Sequence, residues 1–158
     1  MRRPIILKKM TPLIITVSII ILSSCHLRTV YYQYHSTPVQ GWEKNDTLLF
    51  DVPPMAEAGN YHSILGLRIS KAFPFTDLYL VVEQTVMPSM TSICDTVKCN
   101  IANEDGRLKT HGVSYYQFQF PITDIKLMKG DSIHISVRHC MKRDILPGVA
   151  DIGIRIRR

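Results

Sequence analysis

Apolar and polar positions alternate with a period of two over much of this chain. Tyr116, Phe118, Phe120 and Ile122 alternate with Gln117 and Gln119. Ile133, Ile135 and Val137 alternate with His134, Ser136 and Arg138, and Ile152, Ile154 and Ile156 with Gly153, Arg155 and Arg157. Successive side chains of a strand point to opposite faces, so each run predicts a strand with one buried and one wetted face. Residues 61–70 and 78–85 are strand-like too, with apolar residues on both faces in places, and residues 30–34, 48–52 and 93–102 complete the set. Between the runs stand Pro53-Pro54, Gly59-Asn60, Pro74, Pro88-Ser89, Asp105-Gly106, Gly130-Asp131 and Pro147-Gly148, residue types that favour turns. No long stretch carries the apolar spacing of a helix. About seven or eight short strands at this spacing predict an all-β fold, an antiparallel β-sandwich, as one domain over residues 30–158.

The first 24 residues follow a different pattern. Arg2, Arg3, Lys8 and Lys9 form a positive head, and an uncharged stretch follows to Cys25 with its apolar heart at residues 13–22. A helix needs about 20 apolar residues to span a membrane, whereas the apolar part of a secretory signal needs about 7–15. The stretch closes on Leu22-Ser23-Ser24-Cys25, which resembles the bacterial lipobox, where the cysteine is lipidated and becomes the first mature residue. Residues 1–24 are therefore expected to be a cleaved lipoprotein signal peptide. Cys25 is the expected lipidation (palmitate) site, and residues 25–29 the lipidated tether. Multiple acyl chains hold stably where one is marginal. His26, Leu27, Arg28 and Thr29 follow the cysteine. The acidic run of a Bacteroidetes-type surface-export signal is missing there, so the expected address is membrane-associated and facing the periplasm.

Charge then excludes one class of partner. Four of the 19 Lys and Arg residues precede residue 10, leaving 15 against 13 Asp and Glu. That balance lacks the concentrated basic surface of a nucleic-acid binder, and no nucleic-acid partner is expected.

Candidate chemistry is sparse. Beyond Cys25 the chain has Cys94, Cys99 and Cys140. Secretion places them where thiols pair, but the odd number leaves at least one free in a monomer. Cys94 and Cys99 stand too far apart along a straight strand to bond unless residues 95–98 turn. They are read first as small buried hydrophobes, with a disulfide as the alternative. His139 and Cys140 are adjacent, point to opposite sides of a strand and cannot easily share a metal ion. No nucleophile elbow, Walker loop or zinc spacing is present, so neither an enzyme nor a cofactor or metal is expected. Tyr31, Tyr32, Tyr34 and Trp42 crowd together early in the mature chain. Exposed, they would stack on sugar rings and make a glycan-binding module with Trp42 as its ligand-stacking residue. Core packing is the competing reading, because aromatics bury large areas.

Several further stretches form a consistent series. They are Phe73-Pro74-Phe75-Thr76-Asp77-Leu78-Tyr79-Leu80, Asp95-Thr96-Val97, Asp105-Gly106-Arg107-Leu108, Gly130-Asp131-Ser132-Ile133 and Met141-Lys142-Arg143. Leu146-Pro147-Gly148-Val149-Ala150-Asp151-Ile152-Gly153-Ile154 closes the series, and Trp42 precedes a polar turn and the strand-like residues 48–52. In this order they resemble the gliding-motility lipoprotein family GldH of the Bacteroidetes. Two features depart from its pattern: Asp77 stands where Asn is usual, and the glycine-rich tract is reduced to residues 109–112.

The resemblance implies an outer-membrane-associated, periplasm-facing lipoprotein tied to type IX secretion and motility. It also implies that the protein works through envelope proteins of that machinery rather than as an enzyme. In the C-terminal motif, Gly148 after Pro147 suits a turn with positive φ, Asp151 is expected to bond backbone amides, and Gly153 to leave room for close backbone approach. The expected surface for a partner is a sheet edge or the loops 52–59 and 86–91, where Met55, Met87 and Met90 would offer adaptable apolar contact, with ordinary loop packing the competing reading for each.

Overall fold

The computed structural model describes residues 28–158, and all of the regular structure in that span is strand. The expected signal peptide, residues 1–24, and the expected lipidation site Cys25 lie outside the described residues. In chain order the strands are β1 (Thr29–Ser36), β2 (Trp42–Glu43), β3 (Leu48–Val52), β4 (Gly59–Ser70), β5 (Asp77–Met87), β6 (Thr91–Asn100), β7 (Tyr115–Pro121), β8 (Ile125–Leu127), β9 (Ser132–His139), β10 (Ile145–Leu146) and β11 (Val149–Arg157).

One sheet runs β1-β11-β4-β7, with β8 also paired to β4; the other runs β3-β9-β5-β6; β2 and β10 form a two-stranded ribbon. Neighbours are antiparallel throughout. The antiparallel sandwich read from the alternation is therefore the fold. The strands that the pattern does not reveal, β2, β8 and β10, have two or three residues each, too few to display a period.

Antiparallel register places partners on one face, and the inner faces follow directly. Leu67 pairs Ile152 and Leu65 pairs Ile154, while Phe118 pairs Leu67 and Phe120 pairs Leu65. Across the core, Val82 pairs Val137 and Gln84 pairs Ile135. These residues join one hydrophobic cluster, with Gln84 the buried polar exception. Its Oε1 accepts from Ser63 Oγ at 2.8 Å and its Nε2 donates to the Thr123 carbonyl at 3.1 Å. That bridge joins β5 to β4 across the two sheets, and an unbonded amide at this depth would cost about 1–3 kcal/mol per unsatisfied group.

The registers also define two ends. At one lie Arg28, the start of β4 and the end of β11, with Val52 opposite Ile133, Met87 opposite Ser132 and Gly59 opposite Leu127. We call this the Arg28 end. The distal end carries residues 37–47, 71–76, 101–114 and 140–148.

Two details of the C-terminal motif differ from expectation. Gly148 does take a positive φ of 80°, and a Cβ there would fall 2.2 Å from the Phe73 backbone nitrogen. Gly153, however, makes room for a ring rather than a backbone: a Cβ would lie 2.6 Å from Cε1 of Tyr34. Asp151 bonds side chains instead of amides. It accepts from Ser36 Oγ at 2.7 Å and pairs with Arg68 at 3.7 Å, because β11 lies between β1 and β4.

Candidate functional site

The aromatic residues fall into two different environments. Trp42 is fully buried. The short ribbon turns it into the distal end of the core, its Nε1 donates to the Asp46 carbonyl at 2.9 Å, and its ring meets His139 edge-on at 5.3 Å. A ring with no exposed face offers nothing to a sugar, so Trp42 is a core residue here and not the stacking platform of the glycan reading. His139 donates from Nε2 to the Trp42 carbonyl at 3.2 Å. Burial disfavours its charged form and lowers its pKa from the ordinary 6.5.

Tyr32 and Tyr34 instead decorate the outer face of the five-stranded sheet, whereas Tyr31 points the other way and packs against the core. The Arg68 guanidinium lies 4.2 Å from the Tyr34 ring centroid, and that of Arg155 lies 4.2 Å from the Tyr32 centroid. Tyr34 rests over Gly66 and Gly153 on its other side, and burial with its bond to Tyr32 pushes its phenol up to about 12. Both faces of Tyr34 and one face of Tyr32 are thus already occupied. This arrangement packs a sheet surface tightly and leaves little free ring for a sugar to stack on.

The cysteines are all free among the described residues, with Cys99 buried and Cys94 and Cys140 exposed. The buried-hydrophobe reading fits Cys99 alone, whose thiol burial pushes up to about 12. Cys94 and Cys99 lie on one unbroken strand, so the turn a bond between them requires is missing. Met55, one of the expected contact methionines, is buried; Met87 and Met90 are exposed at the Arg28 end.

The arrangement best suited to holding a partner is at the distal end. A cleft of about 510 Å³ is lined by Phe75, Tyr79, Cys140, Met141, Lys142 and Arg143. Phe75 packs edge-on against Phe73 at 5.6 Å, and the Cys140 amide donates to the Tyr79 carbonyl at 3.0 Å, which ties the end of β9 to β5. The lining joins an apolar floor to a basic rim. Lys98 adds a third cation, 5.8 Å from the Tyr79 centroid and 3.7 Å from Asp77. Such a site can accept an aliphatic or aromatic anchor flanked by carboxylates. Sequence reasoning did not single out these residues as a site. The available signal was that the aromatic-proline stretch and Met141-Lys142-Arg143 both carry the family resemblance, and the fold brings the two together.

A family profile described as GldH lipoprotein matches residues 29–156. The chain belongs to the GldH lipoprotein family. It is 29% identical to "Gliding motility lipoprotein GldH" of Flavobacterium johnsoniae over 90% of this chain and 93% of that one. It is 22% identical to "Gliding motility lipoprotein GldH homolog" of Christiangramia forsetii over 89% of this chain and 91% of that one. Among solved structures, a family 35 carbohydrate-binding module from Clostridium thermocellum aligns at 14% identity and a TM-score of 0.40, covering 82% of this chain and 90% of that one. The GldH match spans every strand from β1 to β10 and nearly all of β11, and so includes both halves of the distal cleft.

Proposed function

We propose that this GldH-family chain is a membrane-anchored gliding-motility lipoprotein that works by docking envelope proteins, not by catalysis. Acyl chains on Cys25, palmitate among them, hold it to the outer membrane facing the periplasm, and its partners belong to the type IX secretion and motility machinery. The observation that carries the docking reading is the distal cleft. It couples apolar Phe75, Tyr79 and Met141 to cationic Lys142 and Arg143, at the end of the sandwich opposite the one where the chain runs back towards Cys25. Aromatic and arginine side chains in a concave site supply most of the binding energy in interfaces. The rim charges favour a partner segment bearing carboxylates.

The test is photo-crosslinking from position 79 in native envelopes, with the full chain carrying a C-terminal tag. Recovered adducts with envelope proteins, lost in Lys142→Glu/Arg143→Glu while the far-UV spectrum is unchanged, are the expected result. Adducts that survive the double reversal would remove the cleft from the docking reading. Recovery of polysaccharide in place of protein would replace that reading with the glycan one, which would then have to use the Tyr32 and Tyr34 face.

A further inference from the structure

The Arg28 end carries three exposed methionines on two separate turns. Met87 is 39%, Met90 66% and Met128 61% exposed. Met87 and Met90 flank the β5–β6 turn, whereas Met128 follows β8. Val86 pairs Thr91 and Gly59 pairs Leu127, so both turns project from the same end of the sandwich. Exposed Arg28 and Lys129 stand at that end too, together with Arg158, which pairs with Glu57 and donates to the Ala58 carbonyl. Exposed apolar residues also occur at the distal end, Val39 and Val113 among them, so exposure alone does not separate the two ends. The position of the chain does. Arg28 lies three residues after Cys25, a reach of about 10 Å even when fully extended.

We propose that the Arg28 end is a membrane-seating surface: the three methionines enter the interfacial layer of the bilayer while Arg28 and Lys129 meet lipid phosphates. This rests on the reading that Cys25 is acylated. An anchor only about 10 Å away holds this end against the headgroup layer, and apolar tips flanked by cations are what that layer accommodates. Basic residues near an anionic surface add to the attraction. The methionine loop at residues 86–91, which sequence reasoning offered to a protein partner, is thereby turned to the lipid. Its flexible, unbranched side chains suit the irregular acyl boundary. The opposite end, with its cleft, is left free in the periplasm.

The experiment uses the full chain, processed and acylated, reconstituted in phosphatidylethanolamine–phosphatidylglycerol vesicles with bromine near the headgroup end of the acyl chains. Trp42 is the only native tryptophan and is buried, so an introduced indole reports on its own site. Met90→Trp and Met128→Trp should lose most of their added emission to bromine quenching, and Val113→Trp should lose none. Arg28→Glu/Lys129→Glu should restore much of the Met90→Trp emission. Floating vesicles with unquenched Met90→Trp and Met128→Trp would overturn the seating and leave the anchor reading intact. Equal quenching of Val113→Trp would overturn it as well, since the indole would then be driving its own insertion. Failure of the protein to float with vesicles would sink the Cys25 anchor and the seating together.

Discussion

At the distal end the core is closed by large, fully buried side chains held by specific hydrogen bonds: Trp42 to the Asp46 carbonyl and His139 to the Trp42 carbonyl. At the Arg28 end Met55, Tyr61, Ile122 and Leu127 fold into the cluster, the Tyr61 hydroxyl donating to the Glu57 carbonyl at 2.7 Å, while Met87, Met90 and Met128 on the turns point outward. The difference has a physical basis. A two-residue ribbon contributes little pairing of its own, so β2 and β10 are held by the indole they bury. The β5–β6 turn joins two long, paired strands, and the turn after β8 is fixed by Asp131, whose Oδ2 accepts from the Met128 amide at 2.8 Å, so neither turn depends on its exposed methionines. The buried ribbon contacts of the distal end are therefore expected to be sensitive to substitution, and the exposed methionine tips of the Arg28 end tolerant of it.

Trp42→Ala gives the largest expected effect. Removing a buried aromatic of this size costs about 3–5 kcal/mol, and here it also unseats His139. Urea unfolding followed by circular dichroism measures it, since the substitution removes the native tryptophan signal. A loss below about 1 kcal/mol would mean that the ribbon holds itself and that the two ends do not differ as described.

His139 supplies a smaller, pH-dependent effect. Burial lowers its folded pKa below the unfolded value of 6.5. Its neutral form is therefore required in the folded state, while the unfolded state takes up a proton below pH 6.5. Stability is fully present above pH 6.5, falls as pH drops through that value towards the lower folded pKa, and changes by at most about 1.4 kcal/mol per pH unit for one proton. His139→Phe should flatten this part of the stability–pH curve. An unchanged slope in the variant would assign the acid sensitivity to other groups.

The smallest effect is expected at the opposite end. Met87→Ser, Met90→Ser and Met128→Ser should each change stability by no more than about 0.5 kcal/mol, as exposed positions usually do. Thermal unfolding of the three variants checks this, and a drop of several degrees would show that these tips pack into the fold and are not free for a bilayer.

The alternation of the long strands was legible because a half-buried strand writes its two faces into every second residue. Ile133, Ile135 and Val137 on β9 and Ile152, Ile154 and Ile156 on β11 are the clearest instances, and all six side chains are buried. Strand β1 extends to Ser36 past its apolar residues because β11 supplies backbone partners out to Asp151, which no residue pattern records. The positive φ of Gly148 was legible from its place after Pro147, since glycine takes that conformation without steric cost.

Burial of Trp42, the occupation of the Tyr34 ring by Arg68 and by two glycines, and the separate environments of Cys94, Cys99 and Cys140 depended on contacts between residues far apart in sequence. Composition lists such residues and periodicity assigns them to faces, but neither says which surface will lie opposite. The same holds for the distal cleft, where Phe75 and Met141 meet only because β5 and β9 pair side by side. By itself the sequence determined the strands, their inward faces and the family resemblance, since these depend on local spacing and residue identity. Which aromatics became core, which stayed on the surface, and which turns share an end with Arg28 was decided by strand order and register, because only the paired sheets bring distant segments into contact.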